Sequence, residues 1–302
     1  LRVFAGSGVH LPTDVSVLFA VVTGSGDIWI QEVDGIVLSE VAATDGAIRL
    51  IAGNTIEARY VACLTDRPGA SVALLALQGD ILVDTVAVGA EFGQMSLCAT
   101  SGDIREVDDF DARTDLYGHL GILYAAGQIG SVEDPNLDLE SELAELIEVT
   151  GANFELYIDG DIELFFLIDG RIRVTATGTI RVLYLESITD DIRLKACRDI
   201  EADFAGAGDD LRFWAGGSIH VSADTVWGDP GSIKAADDLS LWAGQDITIA
   251  GALAAGDDAC LIAEHGNLVV TAPIEAVDDV YLKARRGDMD VEGAVAAGDD
   301  VA

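Results

Sequence analysis

One short pattern recurs through the second half of this chain at intervals of about 20 residues, and it constrains the fold more than any other feature. The pattern is a pair of aspartates followed by five residues in which apolar and variable positions alternate, as in residues 237–243 and 278–284. A second unit follows each copy, beginning near Ile200, Ile219, Ile247, Leu268 and Met289 at successive spacings of 19, 28, 21 and 21 residues. Weaker copies upstream bring the total to about twelve, which is typical of a solenoid.

The periodicity inside each copy is two, which indicates half-buried strands and not helices. In residues 280–284 and 247–249, for example, apolar side chains occupy alternate positions. Three short strands fit into a coil of this length. The leucine and asparagine ladder of leucine-rich repeats and the hexapeptide period of left-handed β-helices are both absent. We therefore predict an all-β fold, a single-stranded right-handed parallel β-helix (solenoid) of about 12 coils of roughly 20 residues.

The regularity of the pattern varies along the chain. We expect one continuous solenoid over residues 1–302, as a section of a longer chain, with irregular coils in 1–132, an insertion at 133–150 and regular coils in 151–302. Within the insertion, Leu139, Leu143, Leu146 and Ile147 have helical spacing and glutamates fill the positions between them. This predicts a short helix near residues 136–149.

The charge is strongly one-sided, with 53 acidic residues against 17 basic ones and a formal net charge of −36. Nucleic acids and anionic membrane surfaces are bound through lysine and arginine, so we expect neither as a partner. The longest stretch without a charged residue is too short and too polar for a membrane-spanning helix, and we expect no such span.

The paired aspartates are the first candidate site. Stacked coils would place them in a column with neighbours about 5 Å apart, where like charges repel unless they are screened or bridged. Bridging by Ca²⁺ is one interpretation, because calcium prefers hard oxygen ligands. The alternative is that each aspartate makes an Asx-turn at the start of a strand. The candidate calcium ligands are Asp190, Asp191, Asp209, Asp210, Asp237, Asp238, Asp257, Asp258, Asp278 and Asp279.

The outward positions of one strand per coil are the second candidate site, because they are unusually apolar for the surface of an acidic protein. A contiguous apolar strip usually marks a contact surface. We expect a lateral interface with copies of the chain or with further coils of the same long chain; cover by loops of this chain is an alternative, and Trp214 and Trp242 could instead stack on surface glycans. The strip reads Ile51, Leu75, Cys98, Ala125, Tyr157, Thr175, Lys195, Trp214, Trp242, Ile262 and Lys283, and the interface is assigned to Ile51, Leu75, Tyr157, Trp214, Trp242 and Ile262.

Residues 235–249 resemble the β-helical shafts of filamentous-haemagglutinin-like proteins and other giant repetitive bacterial surface proteins, and the resemblance is clearest from about residue 185 to 302. It implies secretion, an extracellular or cell-surface location, and a structural role as an adhesin shaft, a self-assembling filament or a surface-layer component. We accordingly expect a non-catalytic protein with no cofactor apart from the possible calcium. The alternative is a carbohydrate-binding or carbohydrate-cleaving β-helix of the polysaccharide-lyase type, although paired carboxylates are too common here to identify a catalytic pair.

Overall fold

The computed structural model describes residues 1–107, 114–130, 139–150, 153–158, 161–168, 170–223, 225–226 and 229–302, and in them the chain is all-β. Its parallel strands stack as a β-solenoid of about 12 turns, with equivalent positions roughly 21 residues apart. This confirms the predicted fold class, while the right-handed sense stays a prediction. Contacts divide the chain into two compact units, Leu1–Tyr157 and Ile158–Ala302. That the two units continue one uninterrupted stack also stays a prediction.

The strands that begin in the first unit are short and are separated by tight corners. They are β1 (Arg2–Ala5), β2 (Val9–Thr13), β3 (Val17–Ser25), β4 (Ile28–Glu32), β5 (Ile36–Asp45), β6 (Ile48–Ala52), β7 (Ile56–Ala58), β8 (Val61–Cys63), β9 (Ser71–Ala76), β10 (Ile81–Val83), β11 (Val86–Ala87), β12 (Gln94–Ala99), β13 (Ile104–Glu106), β14 (Leu116–Ala125), β15 (Gln128–Ile129), β16 (Leu139–Thr150) and β17 (Asn153–Ile158).

These strands form three parallel columns. One column runs β2–β4–β6–β9–β12 and continues into the second half of β14. Another runs from β1 through β3, β5, β8 and β11 to the first half of β14. The third joins β5, β7, β10, β13, β15 and β17. Three short strands per coil are therefore confirmed in this unit.

The second unit is built from strands of similar length. They are β18 (Ile162–Ile168), β19 (Ile172–Ala176), β20 (Ile180–Ser187), β21 (Ile192–Ala196), β22 (Ile200–Ala202), β23 (Phe204–Ala207), β24 (Leu211–Ala215), β25 (Ile219–Val221), β26 (Thr225–Val226), β27 (Asp229–Pro230), β28 (Ser232–Ala235), β29 (Leu239–Ala243), β30 (Ile247–Ile249), β31 (Ala252–Ala255), β32 (Ala259–Ala263), β33 (Leu268–Val270), β34 (Ile274–Ala276), β35 (Val280–Ala284), β36 (Met289–Val291) and β37 (Val295–Ala296).

Three columns again account for the stack. One column is β19–β21–β24–β29–β32–β35, and an aspartate pair precedes each of its strands from β21 onward. The second repeat unit forms β22–β25–β30–β33–β36, and the third run forms β23–β28–β31–β34–β37. The small antiparallel pair β26–β27 lies in the long connection before β28, and it accounts for the 28-residue spacing.

Alternation of buried and outward side chains builds the core of each unit. In β29, for example, Leu239, Leu241 and Ala243 are buried, whereas Ser240 and Trp242 point outward. The same inward positions in the neighbouring coils hold Ile, Leu, Val, Ala and an occasional Phe. Because one coil alone cannot bury its inward face, stability depends on the stacking of coils.

The predicted helix near residues 136–149 is wrong where the structure describes it. Residues Leu139–Thr150 form β16, which pairs in parallel with β14 and accommodates its extra residue as a shift in register. Ser141 and Leu143 are buried beside Leu116 and Gly118 of β14, so the neighbouring coil provides a strand template that outweighs helical spacing. Residues 136–138 lie outside the described part of the chain.

The described residues contain no helix that is long and apolar enough to cross a lipid bilayer.

Candidate functional site

The second aspartate of each pair in the second unit links its coil to the next one. Its Oδ1 accepts a hydrogen bond from the backbone N–H of the equivalent aspartate one coil later, at N···O distances between 2.9 and 3.4 Å. The alternative interpretation of the pairs was an Asx-turn at the start of each strand, within one coil, whereas these bonds cross between coils. The ladder runs through Asp191, Asp210, Asp238, Asp258, Asp279 and Asp300.

A second ladder of the same kind lies at the corner before β25, β30, β33 and β36. Here Asp, Ser and Asn side chains alternate as acceptors, with distances between 2.6 and 3.3 Å. In the first unit, Asp27, Asp80 and Asp103 accept N–H bonds from the following coil in the same way. A short side chain with an oxygen therefore recurs at this position and links successive coils, although Ala47 and Gln128 also occupy it.

Replacing Asp246 by Ala is expected to lower the free energy of unfolding by about 1 kcal/mol, because the N–H of Asn267 loses its acceptor. Asp246→Asn is the matched control and should be nearly neutral, since Asn267 itself serves as an acceptor one coil later. Chemical denaturation of both variants measures the difference. Equal losses in the two variants would contradict the role of the side-chain oxygen.

The first aspartates of the pairs are placed differently. Their side chains extend toward solvent, where they approach the carboxylates of the next coil closely enough for all ligand oxygens of a cluster to lie within 4.8 Å of one another. Of the predicted calcium ligands only Asp190 is outside these clusters; its Oδ1 lies 3.5 Å from Nε of Arg171 and accepts the N–H of Asp191. The clusters are Asp191–Asp209–Asp210, Asp237–Asp238–Asp257, Asp257–Asp258–Asp278 and Asp278–Asp279–Asp299.

Among the residues that the structure describes, arginine pairs with these aspartates in the earlier coils of this column and not in the later ones. Arg193 pairs with Asp191 at 2.7 Å, and Arg212 pairs with Asp210 at 2.6 Å. At the register positions that follow Arg212, the next coils carry Ser240, Cys260 and Tyr281. The later clusters therefore lack this local cation and concentrate negative charge.

The pKa values of Asp257 and Asp278 are raised, as is that of Asp209 in an earlier cluster. For Asp257 the first cause is partial removal from water between coils, followed by repulsion from Asp258 and Asp278. For Asp278 the first cause is the charge of Asp279. Because the pKa is raised in the folded state, folding is favoured when these groups are protonated, and the contribution is lost as the pH rises through the raised value.

Asp257→Asn is consequently expected to raise the Tm at pH 7 by about 1–2 °C and to have no benefit at a pH where Asp257 is already protonated. The gain should shrink in high salt, which screens exposed charges. Thermal melts across pH, with Asp14→Asn as an exposed control outside the clusters, measure the effect. A gain in Tm that grows as the pH falls would contradict the raised pKa of Asp257.

Calcium at these corners stays a prediction. Ca²⁺ takes oxygen ligands at 2.3–2.6 Å, and an ion bound only by the folded state raises the Tm. A melt after chelation and again after calcium addition tests this, with Asp257→Asn/Asp278→Asn as the variant that should lose the response. An unchanged Tm after chelation would contradict calcium binding at these corners.

The apolar strip predicted from the sequence divides between the two units. In the first unit, Ile51, Leu75 and Cys98 align in register, and the next outward side chain is Tyr124, which is 41% exposed. Ala125 is buried, so the predicted strip was displaced by one residue at this coil.

Tyr157 does not belong to that strip. It lies in β17, which pairs with β15 through Phe154 and Ile129, whereas the residue that aligns with Tyr124 is Thr150 of β16. The prediction that Tyr157 continues the strip is therefore wrong. Its cause is the long strand β16, which the sequence pattern had assigned to a helix and which supplies the residue at that position. The structure describes no side-chain surroundings for Tyr157.

In the second unit the predicted strip is a continuous register column, which we call the tryptophan column: Lys195, Trp214, Trp242, Ile262 and Lys283. The rings of Trp214 and Trp242 are parallel to within 4°, with centroids 5.0 Å apart, and Lys195 Nζ lies 5.2 Å from the Trp214 centroid. Trp242 also donates its indole N–H to Glu264 at 2.9 Å. Neighbouring coils therefore occupy both faces of the Trp214 ring, and mainly its edges are left for solvent.

That arrangement bears on glycan binding. Sugars contact tryptophan through the ring face, and both faces of Trp214 are taken by Lys195 and Trp242. The tryptophan column is thus better suited to packing against another surface than to stacking on a sugar.

The sequence pattern did not single out a second aromatic column in the same unit. Tyr184 and Phe204 stack with centroids 4.7 Å apart, Phe165 precedes them, and Lys234 lies 5.9 Å from the Phe204 ring. Tyr184 also donates a hydrogen bond to Glu186. The sequence signal that could have revealed this column is an aromatic residue that recurs at an outward position once per coil.

The four cysteines are all free. Cys63 is buried, and burial raises the pKa of its thiol to about 11. A thiol held protonated in this way is a poor nucleophile, which fits a packing role.

No family model matches the chain, and neither a curated protein nor a solved structure matches it.

Proposed function

We propose that this chain is a structural, non-catalytic section of an extracellular or cell-surface β-solenoid protein, serving as part of an adhesin shaft, a filament or a surface layer. The observation that carries the proposal is the repetition of each coil's docking surface. In the second unit, successive coils offer one another three in-register strands and side-chain acceptors at their corners. Such a stack extends by adding coils, which suits a structure whose task is length. The surface location rests on the resemblance of residues 185–302.

The tryptophan column is the surface that we propose for contact with copies of the chain or with further coils of a longer one. Trp214 is 38% exposed and, with Trp242 and Ile262, forms an apolar strip whose ends carry Lys195 and Lys283. On a chain with a net charge of −36, this is a surface where a second acidic molecule meets little repulsion.

Sedimentation velocity over a concentration series tests this contact. The unaltered chain is expected to associate, and Ile262→Asp should abolish association by placing a charge inside the strip. Thr248→Asp, an outward position in β30 of another column, is the matched control and should associate normally. A chain that sediments as a monomer at every concentration would contradict the proposed contact.

A further inference from the structure

The face of the first unit formed by β2, β4, β6, β9 and β12 carries a groove that the repeat pattern did not predict. Along this face the outward residues in register are His10, Trp29, Arg49, Ala73 and Ser96. The small side chains of Ala73 and Ser96 leave a depression of about 330 Å³, bordered by Trp29, Arg49, Ile51, Leu75 and Cys98. A second depression of about 460 Å³ lies beside it and shares Trp29 and Arg49.

Arg49 gives the first depression its chemical character. It is the one charged residue in a lining otherwise made of Trp, Leu, Ile, Ala, Ser and Cys. Arg59, Arg67 and Arg105 of the same unit pair with carboxylates, whereas Arg49 forms no ion pair with any described residue. An exposed guanidinium beside an apolar floor is a suitable partner for a planar carboxylate, which it can bind through two parallel hydrogen bonds.

The overall charge does not prevent an anion from binding there. At physiological ionic strength, exposed charges beyond about 8 Å are largely screened. The one carboxylate among the residues that line the two depressions is Asp27, and it lines the adjoining depression and not the first. Among the lining residues of the first depression, Arg49 alone carries a charge.

Trp29 adds an aromatic wall. His10 covers one side of its ring, with centroids 3.9 Å apart and a 57° tilt, and the indole also borders the 330 Å³ depression. This differs from Trp214 and Trp242, which stack on each other. An aromatic wall suits the C–H face of a sugar ring, while the open side of the groove leaves the sugar hydroxyls hydrated.

We propose that this groove binds a carboxylate-bearing saccharide, with Arg49 pairing to the carboxylate and Trp29 contacting the apolar face of the sugar ring. The inference goes beyond the structural role proposed above and does not depend on it. It concerns a surface of the first unit, whereas the self-association test concerns the second.

Isothermal titration calorimetry with tetragalacturonate tests the proposal, and its methyl ester is the matched ligand because it keeps the backbone and removes the charges. The acid is expected to bind and the ester to bind at least tenfold more weakly. Arg49→Ala should weaken binding of the acid about tenfold, since one charge-assisted pair is lost. Trp29→Ala should also weaken it, whereas Arg59→Ala, which removes an exposed arginine outside the groove, should not. Circular dichroism confirms that each variant is folded.

Several outcomes would overturn the inference. Equal affinity for the acid and the ester would show that the carboxylate is not recognised. Equal losses of affinity in Arg49→Ala and Arg59→Ala would show that any arginine of this unit contributes, through its charge alone. Displacement of the saccharide by benzoate at similar concentration would show an aromatic carboxylate site and not a sugar site. Absence of binding to the unaltered chain would contradict it directly.

Discussion

Replacing Phe213 by Ala is expected to lower the free energy of unfolding of the second unit by about 3–5 kcal/mol. Phe213 is 1% exposed and lies between Leu194 and Leu241 of the neighbouring coils, so truncation removes a large apolar side chain and leaves a cavity. The rigid stacking of coils on both sides limits how far the structure can collapse into that space.

The controls for this substitution come from the same strand. Phe213→Leu should lose about 1 kcal/mol, because leucine fills the same position in both adjacent coils. Trp214→Ala truncates a larger side chain that points outward and should cost less than Phe213→Ala. Urea unfolding followed by circular dichroism gives all three values. A smaller loss for Phe213→Ala than for Trp214→Ala would contradict the assignment of inward and outward faces.

Glu32→Ala is expected to destabilise the first unit by about 2–4 kcal/mol. Glu32 ends β4, is 3% exposed, and uses both carboxylate oxygens: Oε2 accepts the N–H of Val15 at 3.0 Å, and Oε1 accepts those of Val33 and Asp34 at 2.9 and 3.4 Å. Alanine leaves these three donors without their acceptor at a position where the Glu32 side chain itself is buried, although Val33 and Asp34 are exposed.

Glu32→Gln separates shape from hydrogen bonding. Its amide oxygen can still accept from Val33, but its NH₂ group would face the N–H of Val15, so an intermediate loss is expected. Glu57→Ala, which removes a glutamate that pairs with exposed Arg59, should cost less than about 1 kcal/mol. Guanidinium unfolding compares the three variants. A loss for Glu32→Ala no larger than that for Glu57→Ala would show that the corner does not depend on this carboxylate.

The repeat and its two-residue period were sufficient to predict the parallel solenoid and its three strands per coil. They also located the tryptophan column, because Trp214 and Trp242 lie at the same step after their aspartate pairs. The sequence signal for these features is local and periodic, so it predicts them without knowledge of which coils are in contact.

The errors arose where stacking, and not local sequence, decides the structure. Leu139–Thr150 has helical spacing but pairs with β14 as a strand, and this one error displaced Tyr157 from its actual column. The role of the aspartates was also only partly readable, since the bond from Asp258 reaches the N–H of Asp279 in the next coil. Glu32 was missed because a single glutamate has no periodic signal.

Disulfide trapping of neighbouring coils tests the stack most directly. With Cys63, Cys98 and Cys197 replaced by Ser, native Cys260 is paired with Ser240→Cys, its partner in the adjacent coil, or with Arg212→Cys, two coils away. Aligned parallel strands place the first pair about 4.8 Å apart and the second about twice as far, beyond the reach of a disulfide. The in-register solenoid predicts rapid oxidation of the Ser240→Cys protein alone. Equal oxidation of both, or faster oxidation of the Arg212→Cys protein, would contradict it.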